Sequence, residues 1–351
     1  MYLGFKPDLF SISKVIWTNK INDKNFQLVK KIVKKNILNE SFSVRQIKGF
    51  ELNSNNFKIS FKSRTLILKK WGKNKKISEI NKIIKLINWL KSKKIPIQSP
   101  QKFKNNKFIL KNKSELWSYF DYMPGNHFTG EIQELKNTVK IIGKLAYELD
   151  KYPKKNIKKL ENYFSKQDLF TLKTMFIKYN NLIKFFGKKH TRIIKYYLPE
   201  ISSLFKKLSK SKFSKIKKKN VAHIDLHPHN LITREKKLVA ILDIDSCKIV
   251  NTDHAIAYAC LKLCKQTFIF NKSKLSKQKI IDIFKSSIKK KYKLSKVVEK
   301  NLYYFAVSEV LRRLLYMFRL TLFKNNKKWN DVIPLQLGHL DECREFFLKN
   351  D

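Results

Sequence analysis

The chain has 351 residues and is strongly basic, with 77 Lys and Arg against 27 Asp and Glu and a formal net charge of +50. A hydrophobic content of 43% is enough to build a core, which excludes a disordered polycation. The lysines run through the whole sequence and form no single arm, so they read as solvated faces whose summed field draws in anions, and as the footprint of an AT-rich genome, not as a nucleic-acid interface.

The four cysteines, Cys247, Cys260, Cys264 and Cys343, make no CxxC pair and imply no disulfide framework, which suits a reducing cytoplasm. Met1 to Lys20 lacks the apolar block of a signal peptide. The most apolar long stretch, Leu302 to Phe323, contains Glu309, Arg312, Arg313 and Arg319. It reads as a buried or amphipathic helix and not as a membrane span.

In chain order, residues 1–40 form an N-terminal extension in which Phe26 to Leu38 carries apolar residues at helical spacing. Its helix is expected on the outside of the first lobe. Ser43 to Lys48 reads as a strand ending at Gly49. Phe57, Ile59 and Phe61 alternate with polar residues as a half-buried strand does. After a turn at Lys62 to Arg64, Thr65 to Lys69 returns. Ile77 to Leu90 is helical, with a stripe at Ile80, Ile83, Ile84, Ile87 and Leu90, and Glu79 is its only acid. Ile95 to Pro100 is a breaker segment. Phe108 to Leu110 and Leu116 to Met123 read as two further strands, the second stopped by Pro124-Gly125.

From Glu131 the pattern is helical: Glu131 to Asp150, then stretches around Leu160 to Tyr179 and Thr191 to Ser209, then a Lys/Ser run at Lys206 to Lys219 that reads as an exposed loop. The most informative stretch follows. Val221 to Ile232 contains His223, Asp225 and Asn230 in the pattern H-x-D-x-x-x-x-N. A short polar turn, Thr233 to Lys237, separates it from the apolar run Leu238 to Leu242, which ends in Asp243 and Asp245. As a hairpin this brings Asn230 and Asp243 to one end. Phosphoryl transfer needs a carboxylate facing the acceptor hydroxyl and hard oxygen ligands for magnesium. Asp225 suits the first role; Asn230 and Asp243 suit the second. Three histidines, His223, His227 and His229, also raise a zinc or iron site. Only His127, His190, His254 and His339 remain elsewhere, and none forms a recognisable ligand pair.

H-x-D-L-H-P-x-N followed by an apolar run and Asp-x-Asp resembles the aminoglycoside phosphotransferase and choline kinase superfamily of small-molecule kinases. Ile224 and His229 stand where that family usually has Gly, and Ile224 also stands where protein kinases have Arg. The resemblance implies an α+β, two-lobed protein-kinase-like fold. A small N-terminal lobe with an antiparallel sheet is expected over 41–123, and a mostly helical C-terminal lobe with the catalytic loop and acceptor pocket over 124–351. It implies ATP- and Mg2+-dependent phosphorylation of a hydroxyl on a small molecule, an amino alcohol, sugar or aminoglycoside-like acceptor.

In these terms Asp225 is the base, Asn230 and Asp243 hold metal, and Lys69, at the end of an apolar strand, clamps phosphates with Glu79 as its partner. No G-x-G-x-x-G is present, so Ser54 and Asn55 are the candidates for the phosphate-covering loop. The Asp121 carbonyl and Met123 amide are the candidates for the adenine-binding hinge. His223 is expected to be structural, and Asp245 reads as a support residue, with a second metal ligand as the alternative. Asp253 matches the first acid of the family's G-D-P-x-x-D, and Ala257 replaces the second. Tyr303, Tyr304, Glu309, Arg312 and Arg313 are possible pocket residues, with ordinary packing as the rival account. The competing function is a non-catalytic kinase-like or basic nucleic-acid-binding protein; intact Asp225, Asn230 and Asp243 argue against it.

Overall fold

The structure, a computed structural model, describes residues 17–18, 23–47, 55–160, 163–211, 219–271 and 274–348. The described residues divide into two compact units: one lies within 17–129 and 228–245, the other within 130–227 and 246–348. The hairpin after the His-x-Asp motif therefore counts with the N-terminal unit, whose first segment ends at Thr129.

The first unit begins with β1 (Trp17–Thr18), α1 (Asp23–Asn36), β2 (Phe42–Ile47), β3 (Asn55–Phe61) and β4 (Thr65–Lys70). Then come α2 (Ile77–Ser92), β5 (Pro100–Gln101), β6 (Leu110–Asn112), β7 (Glu115–Asp121) and β8 (Asn126–His127). The sheet runs β1-β2-β3-β4-β7-β5, antiparallel throughout, with β6 beside β7. Strand alternation decides what each face carries. Phe57, Ile59, Leu66 and Leu68 pack with Trp117 against Val29, Ile32 and Val33 of α1. The N-terminal helix is thus part of this unit's core and not an outer attachment, because its apolar stripe covers one whole sheet face. Ile67 and Lys69 alternate onto the other face.

The chain continues through α3 (Ile132–Lys151), α4 (Lys166–Ile177), α5 (Leu182–Ser209) and β9 (Asn220–His223). Helix α5 is interrupted at Gly187, whose φ of 75° and ψ of 163° are not helical. The expected helix around Leu160 starts only at Lys166, where Ser165 caps it and Asp168 closes a capping box. β10 (Leu231–Arg234) and β11 (Lys237–Ile241) then form the predicted hairpin, and β8 pairs on its other side. The turn is tighter than the polar run suggested: Glu235 and Lys236 alone make it, with φ of 51° and 60°. Those are the angles a two-residue hairpin needs.

β12 (Cys247–Val250) pairs antiparallel with β9. The helical unit closes with α6 (Thr252–Phe270), α7 (Lys277–Lys289), α8 (Lys296–Lys300), α9 (Leu302–Lys324) and α10 (Ile333–Phe347). Helix α9 is its axis. It packs on α6, α10, α4 and α5, and is buried on most of its circumference. Among the described residues, no helix is long and apolar enough to cross a membrane.

Candidate active site

The first unit holds a cleft of about 340 Å³ between the second face of its sheet, α2 and the β10–β11 hairpin. Ile67, Ile83, Ile87, Ile97, Phe120 and Ile241 make it apolar at one end, and Lys69, Asp243 and Asp245 make it polar at the other. Ile83 and Ile87 come from α2 at i, i+4 spacing. The breaker segment is stitched to the hairpin by Ile241 N–H donating to the Pro96 carbonyl at 2.9 Å. An apolar slot ending in convergent charges is the usual form of a small-molecule site.

The polar end is built around Lys69. Its Nζ lies 3.6 Å from Asp243 Oδ1 and 3.4 Å from Asp245 Oδ1, with the Trp71 ring centroid at 4.5 Å. Lys75, which the sequence did not single out, reaches Asp245 Oδ2 at 3.6 Å. Asp245 thus contacts both lysines. The partner proposed from sequence, Glu79, is not at Lys69. Its carboxylate accepts the Lys76 N–H at 3.0 Å and caps its own helix, as an acid in a first turn does. Lys70 faces the opposite side of β4 and pairs with Glu115.

Asn230 and Asp243 do meet at one end of the hairpin. The Asn230 carbonyl accepts Leu242 N–H at 2.9 Å, directly before Asp243. Asn230 is buried, whereas the Asp243 side chain is 51% exposed. Asp243 has φ of 52°, the left-handed region that few residues with a Cβ adopt, and this turns the chain sharply as it leaves β11. Nearby, the His229 ring meets His127 edge-on at 5.7 Å between centroids.

Of the remaining predicted nucleotide residues, Ser54 and the Asn55 side chain lie outside the described residues, and Met123 lines the cleft; Asn56, not singled out from sequence, lines it too. The Asp121 carbonyl, expected to read adenine, accepts Gln98 Nε2 at 2.8 Å, and the Asp121 carboxylate accepts Gln101 Nε2 at 2.7 Å. Gln98 also lines the cleft. Nothing in local sequence marks it, because its partner lies on a strand, 23 positions later in the chain.

Asp225 belongs to the helical unit. Its Oδ1 accepts Arg313 Nη1 at 2.9 Å, and its Oδ2 lies 3.4 Å from His227 Nε2. Its backbone N–H donates to His223 Nδ1 at 3.2 Å, so His223 shapes the loop from within. Burial pushes the Asp225 carboxyl up, but Arg313 and His227 outweigh it and hold the carboxyl well below the usual range. Behind Arg313 stands Glu309, fully buried, accepting from Arg313 Nε at 2.9 Å, Arg312 Nε and Nη2 at 2.9 and 2.6 Å, and Tyr163 OH at 2.7 Å. Burial raises the Glu309 carboxyl, yet the two guanidiniums bring it down to about 2. Glu309, Arg312 and Arg313 are therefore a buried ion network and not the open pocket lining considered from sequence. His254 stacks on Tyr163 at 3.9 Å, and burial lowers it to about 3, so it is neutral.

No family model matches the sequence, and no curated protein matches it. Solved structures do. A spectinomycin phosphotransferase in complex with ADP and spectinomycin matches over 90% of this chain and 93% of its own, with a TM-score of 0.65 at 14% identity. The chain has the kinase-like fold of the aminoglycoside phosphotransferases. The same phosphotransferase fold occurs in an amicoumacin kinase complexed with AMP-PNP and Ca2+, with a TM-score of 0.62 at 13% identity. It occurs again in a microcompartment-associated aminopropanol kinase, with a TM-score of 0.57 at 10% identity. Each of these two matches covers 92% of this chain and 96% of the other. Among the described residues no three His, Cys, Asp or Glu side chains gather as a metal-binding group.

Proposed function

We propose that this protein transfers a phosphoryl group from magnesium-ATP to a hydroxyl of a small molecule. The observation that carries the reading is the polar end of the cleft. There Lys69 lies 3.6 Å from Asp243, 174 positions later in the chain, and Asn230 is bonded to the residue before Asp243. An apolar slot for a base that leads to an ammonium and two oxygen donors matches the order of groups along a nucleotide.

Magnesium-ATP, when bound, supplies the phosphoryl group and the counter-charge for its oxygens. Asn230 and Asp243 offer hard oxygens that suit Mg2+, and the exposed Asp243 carboxylate is the one open to a cation. Lys69 neutralises phosphate oxygens, and Asp245 keeps it in place. Asp225, five residues ahead of Asn230, is ionised at neutral pH. It accepts the acceptor's hydroxyl proton and orients the oxygen. Proton handling of this kind contributes roughly 10² to 10⁴ in rate. Fold neighbours that carry ADP or AMP-PNP support the nucleotide half of the reading. They leave the acceptor open among amino alcohols, sugars and aminoglycoside-like compounds.

The test is purified protein with magnesium-ATP against a panel of hydroxyl metabolites, scored by ADP release. Asp225→Ala is expected to retain ATP binding and lose transfer. Transfer at the parent rate by that variant would refute the assignment. RNA retention that falls with salt, together with no magnesium-ATP binding, would favour a nucleic-acid role instead.

A further inference from the structure

We propose that Arg313 is a positioning residue for the reaction: it fixes the catalytic-loop carboxylate in place and in its charged form, and is itself locked by a buried ion network. The inference rests on Asp225 being the base, as proposed above.

The geometry is specific to one loop position. Arg313 Nη1 donates to Asp225 Oδ1 at 2.9 Å, and Nη2 donates to the carbonyl of Ile224, the residue before it. One rigid guanidinium therefore grips the side chain of Asp225 and the backbone beside it, which sets both rotamer and loop position. Its third edge, Nε, donates to Glu309 at 2.9 Å, and its plane lies 4.1 Å from the Tyr258 ring centroid. The Tyr258 hydroxyl is 3.4 Å from Nη1. Every edge of the guanidinium is thus held before any substrate arrives.

Charge balance explains why packing alone does not account for this side chain. Two largely covered guanidiniums, Arg312 and Arg313, 13% and 14% exposed, face two carboxylates, the fully buried Glu309 and the partly exposed Asp225. Glu309 is fully buried and braced by Tyr163. Further along the same face of α6, Lys262 contacts His339 and Glu342, and Lys265 contacts Glu342. His227 faces the other oxygen of Asp225. Protonating Asp225 would leave two guanidiniums with one carboxylate, so the network keeps Asp225 ionised until the acceptor proton is handed over. Arg313 on Oδ1 and His227 beside Oδ2 together fix the plane of the carboxylate that the acceptor hydroxyl meets. As the acceptor oxygen–phosphorus bond forms, the bond from the γ-phosphorus to the bridging oxygen breaks and ADP leaves with that electron pair; the acceptor O–H bond breaks toward the Asp225 carboxylate, and the proton is released afterwards.

The experiment is the pH dependence of kcat, with the KM for ATP, in the full-length protein and its Arg313→Gln variant. We expect kcat to fall at least a hundredfold, KM for ATP to stay within threefold, and the acid limb of kcat to move up by at least one pH unit. Arg313→Lys, which keeps charge but cannot span both contacts, is expected to recover about tenfold of the loss. An acid limb superposed on the parent's would overturn the inference. If the Gln variant does not fold, the Lys variant decides by the same shift: a limb moved up by at least half a unit supports the proposal, and an unmoved limb overturns it. Arg344→Gln, the same charge loss at a surface ion pair with Glu200 and Asp341, should leave the profile unchanged. An equal shift there would reduce the effect to net charge and overturn the proposal. A parent that transfers no phosphoryl group to any acceptor fails the functional reading. An active parent with a dead Asp225→Asn and an unshifted Arg313→Gln fails this inference alone.

Discussion

Replacing Glu309 by Gln removes one negative charge from a site with no solvent exposure and leaves its shape nearly unchanged. The carboxyl is brought from an ordinary value of about 4.5 to about 2. A folded value below the unfolded one means that the ionised form stabilises the fold. That contribution is fully present above pH 4.5 and is lost as pH falls through the window down to 2. At 1.36 kcal/mol per unit, the difference corresponds to about 3 kcal/mol. An independent estimate agrees: removing one partner of a buried ion pair costs about 3 to 5 kcal/mol, because the abandoned charge stays buried. Here the abandoned groups are Arg312 and Arg313, whose contacts to Glu309 are 2.6 to 2.9 Å long.

Urea unfolding at pH 7 should therefore place the variant about 3 kcal/mol below the parent, with an unchanged m-value. By pH 3 the parent should have lost about 2 kcal/mol of that advantage, so the two curves approach each other. A gap below 0.5 kcal/mol at pH 7, or one that stays constant between pH 7 and pH 3, would refute the account of this network.

Three further outcomes follow from particular contacts. Lys69→Met leaves Asp243 and Asp245 without the ammonium 3.4 to 3.6 Å away; calorimetry should show magnesium-nucleotide affinity weakened about tenfold or more, and unchanged affinity would remove Lys69 from the site. Gly125 has φ of 152°, and a Cβ there would run into the Thr233 carbonyl. Gly125→Ala should lower stability by at least about 2 kcal/mol in thermal unfolding, because neither backbone can yield cheaply. All four cysteines are reduced and buried, and burial raises the thiols of Cys264 and Cys343. A thiol-specific chromogenic reagent should then label the native protein slowly and all four thiols after denaturation, whereas rapid native labelling would contradict the packing.

Much of the fold was legible because local period and tertiary burial agree. Phe57, Ile59 and Phe61 alternate in sequence and are buried in the structure. The stripe of α2 and the hairpin around residues 231–241 appear where their patterns place them. Disagreements arise where burial is decided at a distance. The N-terminal helix reads as an attachment, but its stripe of Val29, Ile32, Val33 and Ile37 joins the core on one face of the sheet. The Lys/Ser run expected as a loop begins inside α5, which extends to Ser209, and its residues 212–218 lie outside the described ones.

The candidate site divides in the same way. His-x-Asp, Asn230 and Asp243 are visible in sequence because phosphoryl transfer needs those donor types at close spacing, and a hairpin brings two of them together. Glu79 was misassigned because a first-turn acid can serve its own helix as readily as a distant lysine, and only coordinates separate the two. Gln98 at the Asp121 carbonyl, Lys75 at Asp245 and Arg313 at Asp225 carry no local signature; in this last pair the residues are 88 positions apart.

The sequence by itself determined the element types, the hairpin and the chemical identity of the acid, amide and lysine, since these follow from short-range periodicity and donor chemistry. Only the tertiary structure decided which charges neutralise one another, because an ion pair depends on proximity in space and on exclusion of water, and neither is written in the spacing along a chain.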